Sequence, residues 1–491
     1  MPLSPQQSAV VEFVRNGRGS AFVEAVAGAG KTTTLIEALR ETEGSVAFTA
    51  YNKAIAKEIE TKAGALNLGN RVRVGTVHSF GFSAWRRVAP KVQVDARKKT
   101  DAMITELKIP SDLQGFTPKL VSLAKQRGVG LFGEIADTRP WFDIIEHFDM
   151  AYDLEDPSLV GEGVEFAQKG LQWHIDRAHD IIDFDDMVYL PIVTGCRMWE
   201  NDWVFVDEAQ DTNPARRALC RKMLRKNGRS LWVGDRHQAI YGFTGADSDS
   251  VEQIIRDFNC TSLPLTITFR CPKAVVAAAQ TVVSHIEAHE SAPEGIVRNI
   301  EATSIASEGL TAFDAILCRK TAPLVELAYQ LIRKSIPCHV EGKDIGVGLL
   351  KLVNRFSARD LDQLRGKLEI FEEREVAKLI SKGKETQAEA LQDRVATVMV
   401  LMENCQSVRD LTTKIGAMFL DGDKEAKPTL TLATVHKSKG REWTRVFILG
   451  RNCWMPSPWA RQAWQLEQED NLIYVAYTRA KHELVLAAVQ G

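Results

Sequence analysis

The chain lacks the features that would place it in a membrane, secreted or zinc-binding class. Its 491 residues contain no apolar run of the roughly 18 residues needed to cross a bilayer. The first residues show no basic stretch followed by an apolar one, so we expect no secretory signal and a cytoplasmic location. The eight cysteines form no Cys-x-x-Cys pair. This scatter favours reduced, packed thiols over disulfides or a zinc site.

An excess of positive charge is also missing. Lys and Arg number 62 against 64 Asp and Glu, for a formal net charge of -2. Composition therefore gives no sign of nucleic-acid binding, and such a function has to rest on local groups of residues. One basic group is present, and its members are Arg86, Arg87, Lys91, Arg97, Lys98 and Lys99. Charge alone favours a solvated helix face as its interpretation.

The length exceeds what a single hydrophobic core supports, so we expect at least two domains. Short apolar runs, each followed by turn residues and a helical pattern, predict buried parallel strands in two groups. The first group is residues 21–25, 46–49, 71–74, 203–206, 231–233 and 262–265, and the second is 315–318, 430–434, 445–449 and 484–488. This alternation predicts an α/β fold with two parallel-sheet cores.

Two long, mainly helical insertions interrupt these groups of strands. We assign residues 1–84 and 181–268 to the first core, 269–345 and 428–491 to the second, and 85–180 and 346–427 to the insertions. In the second insertion, apolar residues recur at helical spacing on both sides of Lys382-Gly383-Lys384; they are Leu361, Leu364, Leu368, Phe371, Leu391, Val395, Val398 and Leu401. This pattern predicts a charged helical hairpin, and plain packing is favoured over a partner contact.

A phosphate-binding loop is indicated where the first predicted strand ends. The sequence there reads Val26-Ala27-Gly28-Ala29-Gly30-Lys31-Thr32-Thr33. Glycines let backbone N–H groups turn around phosphate oxygens, and the following helix N-terminus adds partial positive charge. Lys31 is placed to reach the β and γ phosphates of ATP, and Thr32 to hold Mg²⁺. Ala25 stands where the strict pattern has its first glycine.

A second predicted strand is followed directly by acidic residues, which a nucleotide site with a phosphate-binding loop also requires. Residues 203–206 are apolar and run into Asp207-Glu208. Asp207 suits Mg²⁺, and Glu208 suits the role of general base that polarises the attacking water. The alternative is an acidic pair that only caps the next helix.

Ten segments, taken together and in order, resemble the motifs of the UvrD/Rep/PcrA helicases of superfamily 1, in a short form with a reduced second insertion. Asp207-Glu208-Ala209-Gln210-Asp211 is similar to their acidic signature. Their phosphate-binding loop also has alanine in place of the first glycine, as Ala25 is here. The other matching segments are 3–7, 48–54, 75–80, 182–186, 233–243, 268–272, 434–443 and 474–480. The resemblance implies two RecA-like P-loop domains that hydrolyse ATP with Mg²⁺ between them.

The resemblance also implies roles at the nucleotide. Gln7 would read adenine, Phe269 would stack on it and Glu442 would bind the ribose. Gln238 would sense the γ-phosphate. Arg270 and Arg479 would act as arginine fingers on the transferring phosphoryl group, together with Lys31, Asp207 and Glu208. The loop residues implied to surround the phosphates are Ala25, Ala27, Gly28, Ala29, Gly30, Lys31, Thr32 and Thr33.

The implied track is single-stranded DNA and its junctions with duplex, followed in the 3′-to-5′ direction. Aromatic residues stack on bases without sequence preference, and polar groups hold the backbone. The stacking candidates are Tyr51, Tyr241 and Phe243. The remaining candidates, which lie in the same motifs, are Asn52, Lys53, Thr76, His78, Thr434 and His436. Replication or repair proteins are the implied setting, and the partners themselves are unknown.

Three alternatives remain open at this point. Because the second insertion spans only about 80 residues, the chain could be a translocase that displaces proteins with little unwinding. It could also be an ATP-switched DNA-binding scaffold with negligible turnover, which Glu208, Arg270 and Arg479 argue against. A P-loop kinase or GTPase is the third, and a second core with two arginines disfavours it.

Overall fold

The computed structural model describes residues 2–490, apart from 149, 155, 241–248, 382–384, 404, 420–428, 459 and 461. The chain divides into two compact units. Unit 1 comprises Met1–Ala25 and Gly30–Leu265, and unit 2 comprises Val26–Ala29 and Thr266–Gly491. Within the described residues, no helix is long and apolar enough to cross a membrane.

Unit 1 is built on a six-stranded parallel sheet with the strand order β3-β2-β6-β7-β1-β8. A short parallel pair, β4 and β5, lies apart from it. The strands are β1 (Ala21–Ala25), β2 (Val46–Thr49), β3 (Val72–Gly75), β4 (Gln93–Val94), β5 (Ile181–Ile182), β6 (Asn201–Val206), β7 (Leu224–Gly234) and β8 (Thr261–Leu265).

The central strands are buried on both faces, as expected for strands covered by helices on each side. All four residues of β2 are buried, and Phe22, Val204 and Trp232 are fully shielded from solvent. The first half of β7 is different because its residues are mostly exposed and polar. The apolar pattern therefore predicted only its second half.

The helices of unit 1 cover the sheet and occupy the range predicted for the first insertion. They are α1 (Pro5–Asn16), α2 (Lys31–Arg40), α3 (Lys53–Ala65), α4 (Val77–Val88), α5 (Ala96–Glu106), α6 (Phe116–Arg127), α7 (Arg139–His147), α8 (Val160–Asp176), α9 (Asp186–Val193), α10 (Pro214–Lys222) and α11 (Ser250–Asp257). Between Ala96 and Asp176 the helices enclose a core of their own, which includes Phe116, Leu120 and Trp141.

Unit 2 contains the second six-stranded parallel sheet, with the order β11-β16-β15-β12-β14-β13. A short parallel pair, β9 and β10, precedes it. The strands are β9 (Ile267–Thr268), β10 (Glu287–Ala288), β11 (Ile296–Glu301), β12 (Asp314–Cys318), β13 (Cys338–Val340), β14 (Leu430–Thr434), β15 (Trp443–Leu449) and β16 (Ala480–Ala488). The predicted α/β fold with two RecA-like parallel-sheet domains is confirmed.

The helices of unit 2 are α12 (Lys273–Ala279), α13 (Ala322–Arg333), α14 (Lys343–Arg355), α15 (Leu361–Ser381), α16 (Glu385–Met402), α17 (Val408–Phe419), α18 (Val435–Ser438), α19 (Arg451–Trp454) and α20 (Ala463–Tyr477). Helices α15 and α16 pack together. Most residues of the predicted apolar pattern, among them Leu364, Leu368 and Val398, are buried in the core beside the sheet, although Ile370 of α15 is 70% exposed. Packing therefore accounts for their pattern.

Candidate nucleotide and nucleic-acid sites

The phosphate-binding loop has the backbone geometry that its sequence predicts. Gly28 and Gly30 both adopt the left-handed conformation, with φ of 75° and 77°. Gly30 is the N-cap residue of α2, so Lys31, Thr32 and Thr33 form the first turn of that helix. The N–H groups of a first turn lack partners within the helix and point towards whatever anion binds there.

Lys31 lies within unit 1 among three carboxylates. Its Nζ is 3.3 Å from Glu208 Oε1, and its side chain is 14% exposed. Burial alone would lower the pKa of the Lys31 ammonium, but Glu208, Asp235 and Asp207 outweigh it and raise that pKa. Among the described residues Nζ makes no well-aligned hydrogen bond. A buried cation with unused donors suits the phosphate oxygens of a nucleotide.

Asp207 and Glu208 follow directly after β6. Burial and the neighbouring Glu208 carboxylate raise the pKa of Asp207 to about 7, with Lys31 acting in the opposite direction. A buried carboxylate that is destabilised in its charged form suits a divalent cation, so Asp207 with the Thr32 hydroxyl fits Mg²⁺. Glu208 has φ of 51°, a left-handed conformation that costs a non-glycine residue roughly 1–3 kcal/mol and is typical of functional sites.

Gln210 connects this acidic pair to the end of β7. Its Nε2 donates to Glu208 Oε2 at 2.6 Å, and its Oε1 accepts from the Asp235 N–H at 3.1 Å. Gln238 Nε2 in turn donates to Asp235 Oδ2 at 2.7 Å. A Cβ at Gly234 would lie only 2.7 Å from Gln210 Oε1, so this contact requires glycine there.

The sequence patterns pointed to Gln238 but gave no role to Gln210 or Asp235. Burial raises the pKa of Asp235, although Lys31 lies near enough to oppose the shift. The signal that would have found both residues is their position, because each follows a strand at the carboxyl edge of a parallel sheet.

Gln7 is 5% exposed and belongs to a capping box at the start of α1. The Gln7 N–H donates to Ser4 Oγ at 3.2 Å, and Gln7 Oε1 accepts from the Ser4 N–H at 3.0 Å. These bonds fix the side chain that the resemblance assigns to adenine.

In unit 2, Arg270 and Glu442 are brought together. Arg270 Nε donates to Glu442 Oε2 at 2.6 Å, and Lys481 forms an ion pair with the same carboxylate. Burial would raise the pKa of Glu442, but Lys481 and Arg270 lower it. Phe269 is 38% exposed, and its ring centroid lies 4.9 Å from that of His289, a neighbour that the sequence did not predict.

Arg479 is 1% exposed. Its guanidinium donates to the backbone oxygens of Val475 at 2.9 Å and Arg441 at 3.1 Å. Two further bonds occur within unit 2: the Ala27 N–H donates to the Tyr474 hydroxyl at 2.8 Å, and the Phe269 N–H donates to the Gly28 oxygen at 2.9 Å. Tyr474 lies in the matching segment 474–480, and the sequence patterns predicted no role for it.

Several nucleic-acid candidates lie where strands of the first sheet pass into helices. Tyr51 is 44% exposed, and Lys53 is exposed. Asn52 and Thr76 are the N-cap residues of α3 and α4, so part of their polar capacity serves the helices. Burial and nearby Arg216 lower the pKa of His78 to about 4, so its imidazole is neutral at pH 7.

The remaining candidates lie at the end of β14, directly after it, or outside the described residues. Thr434 is 9% exposed, and burial with the positive charge of Arg319 lowers the pKa of His436 to about 3. Neutral imidazoles at positions 78 and 436 offer hydrogen bonds without fixed charge. Tyr241 and Phe243 lie outside the described residues.

Residues 182–186, the segment that precedes the acidic signature in the resemblance, form part of a buried ion-pair network. Lys125 Nζ lies 2.6 Å from both Asp183 Oδ2 and Asp186 Oδ1, and Lys99 Nζ lies 2.6 Å from Asp186 Oδ2. Lys99 is fully buried, so the exposed basic group suggested by charge does not include it. The reason is the acidic partner, which a local charge count cannot show.

His174, Asp183 and Asp186 have the ligand spacing of a metal group. Two lysine ammonium groups already occupy the space beside these oxygens, and Lys125 Nζ is 2.7 Å from His174 Nδ1. Lysine charges from within the chain therefore compensate the two carboxylates, although Asp186 Oδ1 and His174 Nε2 make no well-aligned hydrogen bond among the described residues. We interpret it as structural.

Sequence profiles of known families match most of the chain. The profile of the UvrD/REP helicase N-terminal domain matches residues 3–141 and 162–259. The profile of the UvrD-like helicase C-terminal domain matches residues 351–491. The nucleotide candidates of unit 1 fall within the first match and Glu442 and Arg479 within the second, whereas Phe269 and Arg270 lie between the two matches.

Individual relatives are similar at modest identity. F-box DNA helicase protein 1 of Schizosaccharomyces pombe is 24% identical, over 99% of this chain and 57% of its own length. ATP-dependent DNA helicase PcrA of Staphylococcus epidermidis is 27% identical, over 58% of this chain and 40% of its own. ATP-dependent DNA helicase Rep of Escherichia coli K12 is 26% identical, over 58% and 44%. The chain thus spans about half the length of these relatives.

Proposed function

Because the chain belongs to the UvrD-like helicase family, we propose that it is an ATP-dependent DNA helicase that moves 3′ to 5′ on single-stranded DNA. The observation that carries the proposal is the charged cluster at the carboxyl edge of the first sheet. There the largely buried Lys31 lies 3.3 Å from Glu208 and near Asp207, and its Nζ makes no well-aligned hydrogen bond among the described residues. Such a cluster is incomplete without a phosphate and a cation.

The residues of unit 1 divide the chemistry among them. Lys31 and the first turn of α2 would hold the β and γ phosphates, and Thr32 with Asp207 would hold Mg²⁺. The ion, when bound, neutralises charge on the phosphates and orients them. A phosphate that draws Lys31 away from Glu208 would release this carboxylate to accept a proton from the attacking water. Gln210, bonded to Glu208, keeps the carboxylate in position.

The residues of unit 2 would complete nucleotide binding. Phe269 offers an exposed ring face to adenine, and Glu442 offers carboxylate oxygens to the ribose hydroxyls. Arg270 and Arg479 would stabilise charge on the transferring phosphoryl group. We infer that Arg270 leaves Glu442 and binds phosphate when the nucleotide is present. Both side chains of this ion pair are partly exposed, so a ligand can reach them.

Binding and hydrolysis of ATP would drive closing and opening of the two RecA-like domains, and this cycle would move the strand. The strand would contact the candidates at the ends of β2, β3 and β14. Junctions between single-stranded and duplex DNA are the proposed substrate. Tyr51 would stack on a base, Lys53 would contribute positive charge, and the neutral His78 would form a hydrogen bond.

One experiment tests both activity and direction. Strand separation is measured on duplexes with a 3′ tail, a 5′ tail or blunt ends, in DNA and in RNA, with ATP and Mg²⁺. We expect separation of the 3′-tailed DNA alone. Separation of the 5′-tailed substrate would refute the direction, and ATP hydrolysis unaffected by any strand would favour the switched scaffold.

A second candidate, a translocase that displaces proteins, rests on the compact packing of α15 and α16 within unit 2. In that case the motor acts on the strand, but the short second insertion offers little contact with the duplex. Streptavidin displacement from a biotinylated strand is measured beside strand separation. Displacement without separation would establish this candidate in place of the helicase.

A further inference from the structure

Trp199 is an exposed aromatic residue surrounded by arginines. It precedes β6 and is 64% exposed. The guanidinium carbon of Arg73 lies 5.2 Å from its ring centroid, and that of Arg87 lies 5.7 Å away. Leaving a tryptophan in water forgoes the free energy of burial, so an exposed one beside two cations indicates a binding surface.

Hydrogen bonds hold the two guanidinium groups in place. Arg73 Nη2 donates to Asn201 Oδ1 at 3.0 Å, and Arg87 Nη2 donates to the Arg197 oxygen at 2.8 Å. Burial and the like charge of Arg87 lower the pKa of Arg73. The two cations are thus fixed near each other, and a bound anion would relieve their repulsion.

A cleft of about 620 Å³ adjoins the tryptophan. Val88 and Met198 give it apolar walls, while Arg197 and Arg225 add further positive charge. Its acidic residue is Glu200. Nearby Asp202 is already engaged, because it accepts from the Ser45 N–H at 2.7 Å and forms an ion pair with Arg225.

We propose that Trp199, with Arg73, Arg87, Arg197 and Arg225, is a second binding site for single-stranded nucleic acid. A base would stack on the indole and enter the cleft, and the arginines would hold the adjoining phosphates. A partly exposed indole with more cations than carboxylates around it fits a base and its phosphates. We name this set of five residues the Trp199 surface.

The position of the Trp199 surface relates it to the candidate track. Arg73 lies on β3, three residues before Thr76, and Arg87 lies at the end of α4, the helix that carries His78 near its start. Nine residues of helix span about 14 Å at roughly 1.5 Å per residue. The Trp199 surface would therefore hold a part of the strand beyond the track, and in this respect it rests on the proposed function.

The test compares surface variants with matched controls. Trp199→Ala and Arg87→Glu are examined beside Phe132→Ala and Arg97→Glu. Phe132 is 70% exposed with no guanidinium stacked on it in the described part of the chain, and the Arg97 side chain is 93% exposed. Affinity for a labelled 30-nucleotide oligo(dT) is measured by fluorescence anisotropy without nucleotide, at several salt concentrations.

We expect each surface variant to bind about tenfold more weakly, within the range for loss of one stacked base. Arg87→Glu should also reduce the slope of log affinity against log salt by about one. The controls should bind like the unmodified protein. Surface variants that bind oligo(dT) as tightly as their controls would overturn the proposal. It would also be overturned if the surface variants lost affinity for an acidic peptide alone.

A second measurement needs no substitution. Oligonucleotide carrying 5-iodouracil is cross-linked to the unmodified protein, and the modified peptides are identified by mass spectrometry. We expect a cross-link at Trp199; cross-links confined to other residues would contradict the proposal. Cross-linking at Trp199 without ATP hydrolysis that is stimulated by the strand would support this site and refute the proposed motor. Stimulated hydrolysis together with surface variants that bind normally would support the motor and refute this site.

Discussion

Unit 1 contains two buried clusters of lysine and acid that differ in how well their charges are satisfied. In the network of Lys125, Asp183 and Asp186 the ion-pair distances are 2.6 Å. Nearby positive charge overcomes burial there and lowers the pKa of Asp183 and Asp186. In the cluster after the phosphate-binding loop, the closest approach of Lys31 to an acid is 3.3 Å.

The loop cluster also contains Asp207, whose pKa is raised to about 7 by burial and Glu208. Among the described residues, the charges of the Lys125 network are therefore neutralised more closely than those of the loop cluster. Buried charge without full compensation is costly, and it persists where a ligand supplies what is missing. This contrast separates a structural network from a candidate active site that has a similar composition.

The largest expected effect is on Glu208. Glu208→Gln removes the proposed base but preserves the shape of the side chain and its contact with Gln210. We expect kcat for ATP hydrolysis to fall about 10²- to 10⁴-fold. Binding of a fluorescent ATP analogue should be retained. Turnover at the normal rate would refute the assignment of the general base.

Lys31→Ala should have the next largest effect on activity. Loss of a preorganised cation at the phosphates should lower kcat about 10²- to 10³-fold or more. Binding of single-stranded DNA in the absence of nucleotide should be unchanged, which an electrophoretic mobility shift can measure. Loss of DNA binding by a folded variant would contradict the division of roles between the two sites.

Lys125→Met should sharpen the comparison because it acts on stability. Removing Lys125 leaves Asp183 without its lysine partner and Asp186 paired with Lys99 alone, which costs about 3–5 kcal/mol of unfolding free energy. Urea denaturation measures this loss. The control is Arg97→Ala, whose exposed pair with Asp101 is 3.9 Å apart and should contribute less than about 1 kcal/mol. Equal effects of the two substitutions would show that the network is not structural.

The smallest effect is a dependence on pH. Because the folded-state pKa of Asp183 lies well below its ordinary value of 3.8, its contribution to stability is present above that value and is lost as pH falls through the folded pKa. The difference in unfolding free energy between the unmodified protein and Asp183→Asn should be constant at pH 5 to 6 and shrink below about pH 4. A difference that grows in acid would contradict the ion pairing.

Strands with continuous apolar runs were predictable from the sequence. The prediction for β2 and β14 matches the observed bounds. Strands β11 and β13, at the edges of the second sheet, were missed. Edge strands are covered less completely, and β11 in particular has no fully buried residue. The pattern used to find strands depends on burial, so it fails where burial is partial.

The candidate site was predictable where its residues adjoin a motif. Lys31 follows the loop after β1 and Glu208 follows β6, so their approach is expected from two strands of one parallel sheet that end at the same edge. The bridge made by Gln210 and the ring contact between Phe269 and His289 depend on side-chain placement between distant segments. Local spacing does not encode such contacts, and the burial of Lys99 was missed for the same reason.

The proposed motor is tested most directly by the rate of ATP hydrolysis as single-stranded DNA is added at saturating ATP and Mg²⁺. A strand that moves through the protein must be coupled to the nucleotide cycle. We predict that the rate rises with oligo(dT) to a plateau, and that the Lys31→Ala variant shows no rise. A rate that stays the same at every DNA concentration in the unmodified protein would contradict the account.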